Sequence, residues 1–134
     1  MGERSAGRSV VDLVLTGHAH CLEYLQTYDT GHGDSHIPWI ICGGSGYSLR
    51  RQRSEGPKIE EEIQTINGTK TRVVAESQCY IGRSGHGSNK QRPYSAIRID
   101  VKPGNPPKFF VQPLLAEWRN HQWHYPKADG FEMG

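Results

Sequence analysis

The sequence predicts a β-rich chain of short strands and tight turns, and three observations carry that prediction. Val10 to Leu15 and Ile37 to Cys42 are near-continuous apolar runs rich in β-branched residues, the pattern of strands buried on both faces. Tyr94 to Val101 alternates along its length and is answered by the strand-like Lys108 to Leu115 across the turn-forming Lys102 to Pro107, as in an antiparallel hairpin. No segment has the spacing of a long amphipathic helix.

At 134 residues the chain is close to one domain, against a prior of roughly 150 residues per domain. Its hydrophobic fraction of 34% and mean hydropathy of −0.70 allow only a small core. No apolar run approaches the ~18 residues of a membrane span, and Met1 to Ser9 lacks the apolar stretch of a secretory signal, so the expectation is a soluble, cytoplasmic protein without membrane contact. A net charge of +2 and a pI near 8.5 argue against nucleic acid as a partner. Cys21, Cys42 and Cys79 form no C-x-x-C pair, which leaves them as buried thiols rather than a disulfide framework or a cysteine zinc site.

Taken in order, Val10 to Leu15 stops at Thr16-Gly17 and is followed by His18, Ala19 and His20. Cys21 to Tyr28 reads as a second strand or a short helix, with strand favoured. The Gly- and His-rich loop Thr30 to His36 leads into Ile37 to Cys42, where Pro38 is tolerated at a strand start or edge, and Gly43-Gly44-Ser45-Gly46 ends the run. Leu49 to Glu62 is charged and suits an exposed insertion, with helix and strand competing. Asn67-Gly68, set between segments rich in Ile, Thr and Val, marks a peripheral hairpin over Ile59 to Ala75. Gly82 to Arg92 is a polar, Gly-rich loop. The tail from Glu117 to Gly134 carries Trp118, Trp123, Tyr125 and Phe131 without periodicity; it docks or frays, and partner docking is its better use than stacking on a base or leaving group, because no basic residues interleave with its rings.

The sharpest chemical signal is Gly17-His18-Ala19-His20 at the end of an apolar strand. Two imidazoles one residue apart in a tight turn project to different sides of the backbone and suit two metal ions better than one, with Gly17 allowing the turn. The alternative is an imidazole pair that merely caps the strand end. Arg50, Arg51 and Arg53 form a basic cluster, and the loop Arg83 to Gly87 combines glycines with Arg83 and His86. Arg50, Arg51, Arg83 and His86 are therefore the candidate substrate-binding residues, able to hold a phosphate through guanidinium or backbone N–H donors; solvated surface is the bland alternative. His32, Asp34 and His36 form a minor candidate metal site or a solvated loop.

Val11-Asp12-Leu13-Val14-Leu15-Thr16-Gly17-His18-Ala19-His20, with Ile37-Pro38-Trp39-Ile40-Ile41-Cys42-Gly43-Gly44-Ser45-Gly46, resembles the calcineurin-like metallophosphoesterases, a superfamily that includes purple acid phosphatases and nucleases. The likeness covers Val10 to Gly46 and, loosely, the C-terminal hairpin. It implies an α/β fold class, a metallo-dependent phosphatase-like β-sandwich flanked by helices, and a hydrolase in which His18 ligates one metal of a dinuclear centre and His20 the other. The metals implied are two divalent or trivalent ions, Mn, Fe or Zn.

The family also places an Asp-x-His, a bridging Asp, a Gly-Asn-His and a further His N-terminal to this motif. Asp34-Ser35-His36, Gly33-Asp34 and Asn120-His121 imitate these motifs but follow His20 and do not follow a buried strand. The chain therefore looks like a β-rich C-terminal portion of such an enzyme, a fragment inactive alone, whose partners are the missing N-terminal half and a phosphoester substrate. In that frame residues 1–46 belong to the catalytic core, 47–93 form an exposed insertion with a hairpin, 94–116 a hairpin completing the sheet, and 117–134 an aromatic tail. The rival class is a non-catalytic β-rich binding or interaction module that keeps His18 and His20 for structure.

Overall fold

A computed structural model describes residues 10–133; the first nine residues of segment 1–46 and the last residue of the tail lie outside the described residues. Among the described residues nine strands form in chain order: β1 (Val14–Thr16), β2 (Leu22–Thr27), β3 (Pro38–Cys42), β4 (Lys58–Thr65), β5 (Gly68–Ile81), β6 (Tyr94–Lys102), β7 (Lys108–Arg119), β8 (Gln122–His124) and β9 (Phe131–Met133). The described residues contain no α-helix, only a 3-10 turn at Gly87–Asn89. The chain is thus β-rich and two-layered.

The first sheet has the order β1-β3-β2-β5-β4 and the second β6-β7-β8, with β9 on β7. Leu22 and Ile40 from the first sheet and Phe109, Val111 and Met133 from the second form one buried cluster, and Leu13, Tyr24, Ile97, Ile99 and Phe131 pack around it. Tyr24 stacks on Phe131 across the layers at 4.9 Å between ring centroids. Alternation explains the inner face: Phe109, Val111, Pro113 and Glu117 of β7 all point inward at period two and are buried.

Several expectations need correction. The strand expected over Val10 to Leu15 pairs only at Val14–Thr16, because its one neighbour, β3, offers it the three positions Trp39 to Ile41. It is an edge strand rather than one covered on both faces, and Leu15 is 55% exposed. The strand favoured over Cys21 to Tyr28, by contrast, forms as expected: its residues Leu22–Thr27 are β2, central in its sheet. Segment 47–93 is more than an exposed insertion: β5 pairs with β2 from Ala75 to Ile81, Ala75 is buried, and Ile81 packs against the core. Its hairpin turns on Ile66-Asn67, one residue earlier than the Asn67-Gly68 pair, and Gly68 takes the positive φ of +120°. The hairpin over 94–116 forms the facing sheet instead of completing the first one.

The tail docks. Trp118 pairs with Trp123 across the β7–β8 hairpin, whose two-residue turn is Asn120-His121. Both turn residues have positive φ, +52° and +62°, as the favoured two-residue hairpin turn demands. β9 then returns to the opening residues of β7 and buries Met133. Pro113 is accommodated because β7 is paired with β6 there while its other edge lies open between β8 and β9.

Candidate metal and phosphate cleft

The turn after β1 is two i→i+2 hydrogen-bonded turns in succession. Ala19 N–H donates to the Gly17 carbonyl at 2.9 Å around His18, and Cys21 N–H donates to the Ala19 carbonyl at 2.8 Å around His20. His18 has φ +76°, the strained positive-φ form of the γ-turn, whereas His20 takes the ordinary negative-φ form. Left-handed backbone thus falls on the histidine, and Gly17, expected to permit the turn, stands in open space with no such φ.

The Gly-rich loop after β3 seats this turn. Gly43 N–H donates to the Cys21 carbonyl at 3.0 Å, and a Cβ on Gly43 would lie 1.9 Å from the Ala19 carbonyl oxygen. Arg50 N–H donates to the His20 carbonyl at 2.9 Å. His20 Nδ1 lies 3.3 Å from the Ser48 carbonyl oxygen, which can only accept; Nδ1 therefore carries a proton, and in the neutral ring Nε2 presents its lone pair. A Cβ on Gly46 would lie 3.0 Å from that Nε2, so glycine keeps the lone-pair edge clear.

An open cleft of about 530 Å³ is lined by His18, His20, Ser48, Leu49, Arg50, Arg51 and Arg83. Three stretches of chain meet there: the β1–β2 turn, the 48–51 segment and the loop that follows β5. The strand-like contact that joins them runs through Arg50, whose carbonyl accepts from Arg83 N–H at 2.8 Å and from the Tyr80 hydroxyl at 2.8 Å. Burial pushes the Tyr80 phenol up, and burial raises the Cys21 thiol too, so neither brings a negative charge up beside Arg50 at neutral pH. All three cysteines are free thiols.

Five of the six residues singled out from sequence, His18, His20, Arg50, Arg51 and Arg83, thus share one cleft. His86 lies beside it, with Nδ1 3.5 Å from the Arg51 guanidinium, which also donates to the Gly85 carbonyl at 2.6 Å. Arg53 turns away to the carbonyls of Gly56 and Lys58. Asp34 is spent inside its own loop, accepting from the Thr30 hydroxyl. Among the described residues no group of three or more His, Cys, Asp or Glu is placed to hold a metal, which removes His32, Asp34 and His36 as a local site.

Sequence reasoning missed Ser48, which fixes the His20 tautomer through its carbonyl, and Glu117, a buried carboxylate inside β7. The signal for Glu117 was present: the alternation that begins at Phe109 reaches position 117 in phase if it is extended past Leu115. No helix among the described residues is long and apolar enough to cross a membrane. The chain matches no protein-family model, no curated protein and no solved structure.

Proposed function

We propose that the protein hydrolyses phosphoesters with metal ions, as part of a calcineurin-like metallophosphoesterase of α/β type in which this chain supplies two metal ligands and part of the phosphate-binding wall. The observation that carries this reading is the convergence of His18 and His20 with Arg50, Arg51 and Arg83 on one cleft. The donor set fits a share of a dinuclear Mn, Fe or Zn centre: the neutral His20 ring offers Nε2 over a glycine, and His18 is exposed. In this reading the carboxylate and remaining imidazole ligands come from polypeptide beyond residues 10–133. When bound, the metals would polarise the phosphoryl group and activate water.

This chain's own part is positioning and charge. Arg83 has no carboxylate partner among the described residues, so its guanidinium is free to pair with phosphate oxygens in the bidentate manner that suits them. Arg51 holds the Gly85-His86 loop against the cleft. A second reading, a non-catalytic β-rich interaction module, is favoured by the lack of a third metal-binding side chain beside the two histidines among the described residues. Turnover of chromogenic phosphomonoesters and phosphodiesters by the intact protein with Mn or Zn separates the two. Metal-dependent hydrolysis lost in Arg83→Gln supports the enzyme; no turnover with any of the metals leaves the module.

A further inference from the structure

The rings of the C-terminal tail read from sequence as lacking basic company, yet the fold brings cations to them from the loop between β5 and β6. Tyr94, Trp123 and Trp118 form a connected aromatic set, with Trp118 edge-on to Trp123 at 5.4 Å and Tyr94 at 6.3 Å from Trp123. Trp118 remains 54% exposed. It lines a pocket of about 330 Å³ together with Tyr94, four cationic residues, Arg83, Lys90, Arg92 and Arg119, and one acidic residue, Glu117. Glu117, 4% exposed, anchors this arrangement: its carboxylate accepts from Arg92 N–H at 2.8 Å and lies 3.5 Å from Arg119 Nε, tying the loop to β7. The side chains of Arg83, Lys90 and Arg92 form no ion pair with a carboxylate among the described residues.

We propose that this pocket binds a small phosphate ester bearing a planar aromatic group, with the ring against Trp118 and the anionic end held by Arg83 and Lys90. An exposed indole braced by a second ring is a stacking platform at little entropic cost, and cationic side chains without an ion pair in the same pocket lining select an anion. The volume suits a single nucleotide-sized molecule and not a polymer. The pocket also shares Ser48, Leu49 and Arg83 with the histidine cleft, so a phosphate at Arg83 stands at the mouth of both. That last consequence, a leaving-group pocket for hydrolysis, rests on the phosphoesterase reading; the binding itself does not.

The test is calorimetric titration of the intact protein in EDTA with ADP, pyrophosphate and adenosine. ADP is expected to bind at least about fivefold more tightly than either of the others. Trp118→Leu should abolish the advantage over pyrophosphate, Lys90→Gln should weaken ADP and pyrophosphate together, and Arg98→Gln, whose partner is Asp100, should change neither. Saturation transfer from the indole protons to the ADP ring gives the same answer on unaltered protein if a variant fails to fold. ADP binding no tighter than pyrophosphate, or an advantage that survives Trp118→Leu, overturns the proposal. ADP binding without any metal-dependent turnover sinks only the phosphoesterase reading, and turnover without ring preference sinks only the pocket.

Discussion

Gly46 lies against the Nε2 edge of His20: a Cβ at position 46 would sit 2.9 Å from Cδ2 and 3.0 Å from Nε2 of the ring. The ring cannot swing away freely, because Nδ1 is tied to the Ser48 carbonyl. Gly46→Ala should therefore shift the imidazole with a loss of stability below about 1.5 kcal/mol while weakening metal binding, read by thermal unfolding and by zinc titration. Unchanged zinc affinity would remove the link between this glycine and the ligand.

Gly43→Ala should behave in the opposite way. Its Cβ would meet the Ala19 carbonyl oxygen, a backbone atom with no easy retreat, at 1.9 Å. A stability loss of about 1 to 3 kcal/mol or more is expected in denaturant unfolding. A neutral substitution would show that the loop and the His18–His20 turn are not packed as described.

His18 occupies left-handed backbone at φ +76°, where a non-glycine residue is strained by roughly 1 to 2 kcal/mol. Part of that relief is returned as the extra unfolded-state freedom of glycine. His18→Gly should thus leave the protein as stable or up to about 1 kcal/mol more stable, while removing a metal ligand. A residue held in place against its own backbone preference, whose removal stabilises, is kept for what its side chain does. A clear loss of stability in His18→Gly would point to a structural histidine.

Much of this fold was legible in the sequence. The alternation in β6 and β7, the apolar run of β3 and the turn residues of the β4–β5 hairpin are local signals, and each lies close to where its pattern put it. Pairing partners were not legible. Whether Val10 to Leu15 is central or at an edge depends on what lies beside it, and β1 pairs only through Thr16, Leu15 and Val14. Likewise, the period-two signal of β5 was hidden because its first half, at Lys70 and Thr71, is exposed and pairs with β4, while its second half, from Ala75 to Ile81, pairs with β2. In the cleft, residue types were readable one by one. Their convergence was not, since His20 meets Ser48 and Arg50 only after the loop from 43 to 50 folds back over the turn.

Alkaline pH should destabilise the fold. Burial raises the Cys42 and Cys79 thiols above their ordinary 9.0 and the Tyr24 and Tyr80 phenols above 10.0. The unfolded chain then releases these protons at lower pH than the folded chain, so stability is full below about pH 9 and falls as pH rises beyond it. The thermal midpoint, followed from pH 7 to 10.5 with reductant present, should be flat and then decline. A midpoint that holds level through pH 10.5 would mean that these groups are as solvated folded as unfolded.

Leu15 on the β1 edge and Phe110, Leu114 and Trp118 on the outer face of the second sheet are exposed. Covering one such side chain contributes about 1.5 to 3 kcal/mol, and an uncovered edge invites strand addition. Produced alone, this chain should bind an apolar-surface dye and self-associate, and Leu15→Ser with Leu114→Ser should suppress both. A monodisperse, dye-silent chain with a sharp, high unfolding transition would favour an independent module over a part that needs cover.

The metal-ligand role of His18 and His20 is tested most directly by elemental analysis of the intact protein after loading with Mn or Zn and removal of excess metal, alongside His18→Ala and His20→Ala. Each variant should lose metal, by at least half of the bound amount, at an unchanged thermal midpoint in EDTA. Full metal content in both variants would contradict the ligand assignment and, with it, the phosphoesterase reading of the cleft.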